Sequence, residues 1–270
     1  MTPSHPITPH SGTSIGSAPI SAFAIPGLVH GFGSRAGGVS EGAFATFNLA
    51  DWIGDNPESV VENWRRWNAS YPGLPVARVS QVHGPLVHRI DEPKDALRED
   101  GRRREGDGMV TAAAGLVLGI FTADCVPILM VDNARHVVAA LHAGWRGTLS
   151  GIAAEGVRAM VALGARPTAI HAALGPSIGI CCFEVDAALA EDFARRIPGA
   201  DGHTRMGQPG KAYLDLRALI RDQLEHEGLV AASIANVGPC TRCANDTYFS
   251  RRGAVGATSG LQMSFIGFTG

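Results

Sequence analysis

The sequence predicts an α+β domain or a layered α/β/β/α sandwich with mixed sheets, and three observations carry that prediction. Two successive runs, LVLGIFTADC and HVVAALHAGW, are rich in Val, Ile and Leu and almost free of charge, as strands buried on both faces are. Segments of helical period stand before and after them. The strands and helices do not alternate at the regular spacing of βαβ units.

The elements follow in chain order. Residues 1–20 carry no Lys or Arg and no continuous apolar run, so they read as a flexible tail and not as a signal peptide. Residues 21–270 show no fixed-period repeat and no low-complexity linker, and read as a single catalytic domain. AFAIPGLVHGFGS suggests a strand leading into the glycine-rich turn SRAGGVSEG. DNPESVVENWRRWNAS is the clearest helix: Asn56 or Asp55 can cap it, Pro57 fits its first turn, and Val60, Val61, Trp64 and Trp67 share a face. The stretch 92–108, dense in Arg, Asp and Glu, reads as an exposed loop. The two buried strands are expected to end at Cys125 and His142. TLSGIAAEGVRAMVALG then turns helical and stops at Gly164, with Pro167 beyond. IHAALGPSIG reads as a strand and turn, and DAALAEDFARRIP and LDLRALIRDQLEHEG as amphipathic helices. LQMSFIGF alternates weakly and is expected to close a sheet edge.

Composition limits the function. Across 270 residues, 45% are hydrophobic and 18% charged, a globular and enzyme-like balance. The formal net charge of −2 supplies no basic field for nucleic acid or an anionic membrane, so neither is expected as a partner. The longest apolar stretch, 109–131, is broken by Asp124 and Pro127 and does not read as a membrane span. The five cysteines, with no export signal, point to a reduced cytoplasmic setting. The sequence carries no signal for oligomeric state.

Three residues suited to a borderline-soft cation stand in short, distinctive segments: His83 in QVHG, Cys125 in TADCVP, and His142 in HAGWRG, seventeen residues after Cys125. Two imidazoles and a thiolate suit Zn²⁺, with copper as an alternative, and three protein ligands leave a position for water or substrate. Taken singly, His83 or Cys125 is more often a packing residue. Asp124 and Asp107 are the acids nearest in sequence. Asp124 could orient a ligand histidine or carry protons, and could equally cap a turn. Arg146, at the start of a helix beside His142, and Arg35 in GSRAGG are candidates for an anion, against the plainer reading of arginines on backbone carbonyls. Asn48 could bond a base or ribose, or serve a turn. Cys240 and Cys243 make a lone CxxC without the second half of a zinc ribbon. Cys181 and Cys182 read as packing, with extra copper ligation a distant second for either pair.

These motifs together resemble the bacterial laccase-domain family, also called the YfiH/YlmD or multicopper polyphenol oxidase family. The resemblance runs from about residue 28 to the C-terminus through HGFGSRAGGVSEG, FNLADWIGDNPESVVENW, SQVHG, GDGMVT, FTADCVPILMVD, ALHAGWRGT, ALGPSIGICCFEV, YLDLRALIRDQL and CTRCANDTYFSRR. It departs at Gly106, where the family reads Ala, and near residue 34, where Ser-Thr-Arg is usual. The resemblance implies a single α/β/β/α domain with metal ligands at His83, Cys125 and His142. It further implies phosphorolysis of adenosine or inosine to base and ribose 1-phosphate, with adenosine deamination and methylthioadenosine cleavage alongside. Phenol oxidation and peptidoglycan editing also attach to the family. The rivals are a cysteine hydrolase or amidase using Cys125 and His142, and a copper phenol oxidase, which would require more histidines in paired motifs.

Overall fold

A strand buried on both faces needs a cover on each side, and the two charge-poor runs have one. The computed structural model describes residues 17–18, 20, 23–254 and 258–270. Most of the expected tail therefore lies outside the described residues, while Ser17–Ala18 pairs with Phe32 and Gly33 and Ile20 is buried.

In chain order the first strands and helix are β1 (Ser17–Ala18), β2 (Leu28–Gly33), α1 (Pro57–Ser70), β3 (Val76–Ala77), β4 (Val87–Arg89) and β5 (Gly108–Thr111). The centre of the fold comprises β6 (Val117–Thr122), β7 (Val126–Asp132), β8 (Val137–Ala143), α2 (Trp145–Leu149), α3 (Ile152–Ala162) and β9 (His171–Leu174). The remainder is β10 (Glu184–Asp186), α4 (Ala187–Arg196), β11 (Thr204–Met206), β12 (Lys211–Leu214), α5 (Leu216–His226), β13 (Ile234–Asn236) and β14 (Gln262–Phe268).

One sheet runs β1-β2-β14-β6-β3 and a second β13-β9-β7-β8-β5-β4, with a small β10-β12-β11 sheet beside them. Alternation along each strand sorts its side chains into layers. Leu118, Ile120 and Ile266 meet Leu129, Val131, Val138 and Ala140 between the two large sheets. The opposite residues of β7 and β8, Ile128, Met130, Ala139 and Leu141, pack with Val157 and Met160 of α3 and Leu219 and Ile220 of α5. On the far side, Val117, Phe121, Met263 and Phe265 pack with Trp67 of α1. The order is helix, sheet, sheet, helix, so the expected α/β/β/α sandwich is present.

Local sequence explains where α1 starts, and Val60, Trp64 and Trp67 lie on its packed face, but Val61, expected with them, is exposed because it stands about 100° round the helix from Val60. The Asn56 side chain accepts from the backbone N–H of Glu58 and Ser59, at 2.8 and 3.2 Å, and Pro57 starts the first turn. Burying Trp67 contributes roughly 2–3 kcal/mol. β14 differs from its expected place at a sheet edge. It lies between β2 and β6, and its seven residues are all buried. Its alternation is weak because one face meets the second sheet and the other meets α1. Among the described residues, no helix is long and apolar enough to cross a membrane.

Candidate metal centre

Three turns bring the chemistry together. β6 belongs to one sheet and β7 to the other, so residues 123–125 carry the chain between layers. Cys125 stands in that crossing, just before β7, and not at the end of the preceding strand. His142 is the penultimate residue of β8, and His83 lies in the loop between β3 and β4. The ligand atoms of His83, Cys125 and His142 all lie within 4.8 Å of one another. The two imidazole rings meet edge to face, 4.7 Å between centroids. Gly144 closes the site from beside His142: a Cβ there would lie 2.9 Å from His83 Cδ2 and 3.0 Å from Cys125 Sγ. Any larger residue would displace two of the three ligands.

Asp107 organises both histidines. Its Oδ1 accepts His142 Nδ1–H at 2.8 Å and the His83 backbone N–H at 2.9 Å. Oδ2 accepts from the backbone N–H of Gly84 at 2.7 Å and of Val82 at 3.1 Å. Three consecutive N–H groups thus converge on one carboxylate, an arrangement that requires a left-handed residue among them. His83 supplies it at φ 63°, a conformation uncommon for a non-glycine residue and held here by the carboxylate. Because an ionised carboxylate only accepts, His142 carries its proton on Nδ1 and leaves Nε2 for the thiol side. Burial raises the Asp107 carboxyl's affinity for its proton, but the His142 and backbone N–H donors outweigh it and hold the group below its ordinary range.

Cys125 and His142 perturb each other. Burial pushes the Cys125 thiol up, yet the His142 charge and the hydrogen bonds from His142 and His83 bring it down to about 6. Burial lowers His142, but the Cys125 thiolate and the Asp107 hydrogen bond raise it to about 9. Between those values the metal-free pair is a thiolate beside an imidazolium. In metal-free protein, alkylation at Cys125 is therefore expected to rise with a midpoint near pH 6, and the midpoint should move upward in His142→Ala. Peptide mass spectrometry of iodoacetamide-treated samples across a pH series reads this directly. A wild-type midpoint in the ordinary thiol range would contradict the pairing.

The three ligands line a cavity of about 1040 Å³. Trp52 and Phe121, in edge-to-face contact at 5.1 Å, stand on its wall. Arg78, Arg98, Arg102, Arg103 and Arg251 also line it. The guanidinium of Arg78 lies over Trp64, and its buried Nη1 has no hydrogen-bond partner among the described residues. Burial and the neighbouring Arg103 charge lower Arg78 to about 10, so it remains cationic at neutral pH. The buried hydroxyl of Thr122, another lining residue, is also without a partner there. Of the stretch 92–108 expected as an exposed loop, residues 97–105 supply lining of the cavity, whereas 106–108 are buried, with Asp107 beneath the site and Gly108 opening β5.

The other candidates take different positions. The carboxylate of Asp124 accepts Thr241 Oγ1–H at 2.6 Å, Ser250 Oγ–H at 2.7 Å and the Arg252 backbone N–H at 2.6 Å. With φ 88° the residue turns toward the C-terminal segment and braces it, and the orienting role falls to Asp107 instead. Asn48 is fully buried and bonds Ala50, Asp55 and the Leu261 N–H, which is the turn reading. Arg35 donates to the carbonyls of Ala45 and Asn245, both at 2.6 Å. Arg146 lies over the ring of its neighbour Trp145, on a five-residue helix, and is not among the lining residues. The arginines that line the cavity are others, unremarked in the sequence.

Two imidazoles and a thiol within one ion's reach, at the wall of a cavity on an α/β/β/α sandwich, make a candidate three-ligand metal centre. The chain belongs to the family described as multi-copper polyphenol oxidoreductase laccase, whose profile matches residues 29–269. It is 40% identical to a purine nucleoside phosphorylase of Mycobacterium tuberculosis over 221 residues, 81% of this chain and 84% of that one. It is 38% identical to an adenosine deaminase from an unknown prokaryotic organism over 246 residues, 88% of this chain and 93% of that one. The crystal structure of YlmD from Geobacillus stearothermophilus superposes with a TM-score of 0.85 at 33% identity, covering 93% of this chain and 94% of that one.

Proposed function

We propose that this protein is a metal-dependent purine nucleoside enzyme. In this reading it cleaves adenosine or inosine, and methylthioadenosine, with phosphate to free base and ribose 1-phosphate, and it also deaminates adenosine. The observation that carries the reading is the meeting, in one cavity, of three residues placed to hold a metal with Arg78, a half-buried arginine whose guanidinium Nη1 has no hydrogen-bond partner among the described residues. The relatives' names support it. The donor set fits Zn²⁺, with copper the alternative: two imidazoles and a thiol lie within one ion's reach. Zn²⁺ held by His83, Cys125 and His142 supplies Lewis acidity, which polarises a substrate oxygen or lowers the pKa of a coordinated water.

The chain's own groups account for recognition. Trp52, exposed on the cavity wall, offers aromatic surface to a purine, and Arg103, over Trp52 at 4.9 Å, adds a cation beside it. Arg78, half-buried on the cavity wall, supplies positive charge for a phosphate. Asp107 keeps His142 in one tautomer, so that Nε2 is presented consistently. Such an enzyme acts on a soluble substrate in the cytoplasm, where its thiols stay reduced.

The multi-copper description in the family's name finds little support in the ligand sets. Among the described residues the groups suited to a metal are this one and a cluster of four cysteines, with no histidine-rich centre for electron transfer to O₂. The cysteine hydrolase remains a second reading, including an amidase in peptidoglycan editing, because Asp107, His142 and Cys125 form a hydrogen-bonded acid–base–thiol chain.

A nucleoside panel assayed with and without phosphate tests the main reading. Base release from adenosine or inosine is expected to require phosphate and to yield ribose 1-phosphate. Arg78→Met, which keeps the stem over Trp64, is expected to raise the KM for phosphate at least about tenfold, as loss of a charge-assisted hydrogen bond does. The nucleoside KM should move less. Phosphate-independent base release, or an unchanged phosphate KM in the variant, would count against it.

A further inference from the structure

We propose that Cys181, Cys182, Cys240 and Cys243 form a second metal site, a tetrathiolate that holds Zn²⁺ as a structural ion. Neither pair suggests this alone, because CxxC is half a zinc ribbon and two adjacent cysteines are no motif. The fold joins the halves. The four sulfurs, from segments about sixty residues apart, all lie within 4.8 Å of one another. Cys182 Sγ is 3.5 Å and Cys181 Sγ 3.7 Å from Cys243 Sγ.

The spacing fits one ion. Four Zn–S bonds of about 2.3 Å in a tetrahedron place neighbouring sulfurs about 3.8 Å apart. A disulfide would require about 2.05 Å, and all four cysteines are free. The backbone holds this geometry from both sides. Ser177 and Cys240 form a parallel bridge, and Thr241 N–H donates to Ser177 O at 3.0 Å. On the other segment, the N–H groups of Cys182 and Phe183 both donate to Gly179 O at 2.9 Å, making a tight turn. Gly179 faces the cluster: a Cβ there would stand 3.4 Å from both Cys181 Sγ and Cys240 Cβ.

Position agrees with a structural role. Arg252 ties the neighbouring backbone, donating to the carbonyls of Cys182 at 3.5 Å and Glu184 at 3.0 Å. With four protein ligands no position is left for substrate, which separates this site from the three-ligand centre. The cluster also supports that centre's wall. Thr241, inside the CxxC, donates to Asp124, the residue before Cys125. An ion pinning residues 240–243 to 181–182 would fix the segment that braces Asp124.

The test uses full-length, untagged His83→Ala protein, in which the three-ligand centre is disabled, purified under reducing conditions without added metal. Elemental analysis is expected to find one equivalent of zinc, and adding Cys243→Ser should remove it. Should the double variant not fold, Co²⁺ substituted into His83→Ala decides the matter. The expected result is the sulfur-to-cobalt charge-transfer and visible bands of a tetrahedral four-thiolate centre. Folded His83→Ala protein that is free of zinc and gives no such spectrum would overturn the proposal. So would a disulfide among these cysteines in fresh protein, or iron in place of zinc.

Discussion

Replacing Asp107 with Ala is expected to abolish metal retention and turnover together and to lower stability by several kcal/mol. Four donors converge on this carboxylate: the N–H groups of Val82, His83 and Gly84, and Nδ1–H of His142. A buried donor left without its acceptor costs about 1–3 kcal/mol, so a loss on the order of 3–5 kcal/mol remains even if water refills part of the space. The left-handed conformation of His83 also loses the contact that holds it. Asp107→Asn separates function from folding. It preserves volume and one accepting oxygen, but its NH₂ must face an N–H donor. That variant is expected to fold and to bind metal about 10- to 100-fold more weakly, the usual effect of removing a ligand's orienting partner. Thermal unfolding with Zn²⁺ titration of both variants measures the two effects. Wild-type zinc affinity in Asp107→Asn would mean that the carboxylate orients nothing the metal requires.

The three residues that converge, His83, Cys125 and His142, were legible because each lies in a short, chemically unusual segment. The sequence did not reveal what aligns them. Asp124 looked the better acid because it adjoins Cys125, but adjacency along the chain does not set direction when the residue sits at φ 88° and its partners are Thr241, Ser250 and Arg252. Asp107 reaches His142 through sheet register: β5 pairs with β8, Gly108 opposite Leu141, which sets Asp107 beside His142. No local periodicity encodes such a pairing. The arginines of the cavity were hidden for a related reason. A charge-dense loop has the same composition whether it faces bulk water or rims a pocket. β14 was misplaced at an edge because strands covered on both sides lose the alternation by which one half-exposed face is recognised. The helices α1, α4 and α5, whose caps and periods are local, were read almost to their ends, whereas the single helix expected over 148–164 is broken at Gly151, whose φ of 82° separates α2 from α3.

The same local-versus-distant distinction governs the choice between metal chemistry and a cysteine nucleophile. Cys125, His142 and Asp107 would serve either mechanism, so substitutions at those positions do not discriminate. His83 does. It is one of three ligands in the metal reading, whereas a thiolate paired with His142 needs His83 only as a hydrogen-bond donor to the sulfur. Loss of one ligand from such a set is expected to weaken zinc binding by orders of magnitude, on the principle that affinity depends on the full deprotonated donor set. The decisive measurement is zinc bound at this centre together with adenosine and inosine turnover in folded His83→Ala, before and after Zn²⁺ is added. Zinc at the tetrathiolate is counted separately through Cys243→Ser. The account predicts that the variant loses its active-site zinc and nearly all turnover, with partial recovery at high Zn²⁺. Full turnover in His83→Ala protein lacking that zinc would contradict it and make Cys125 the nucleophile.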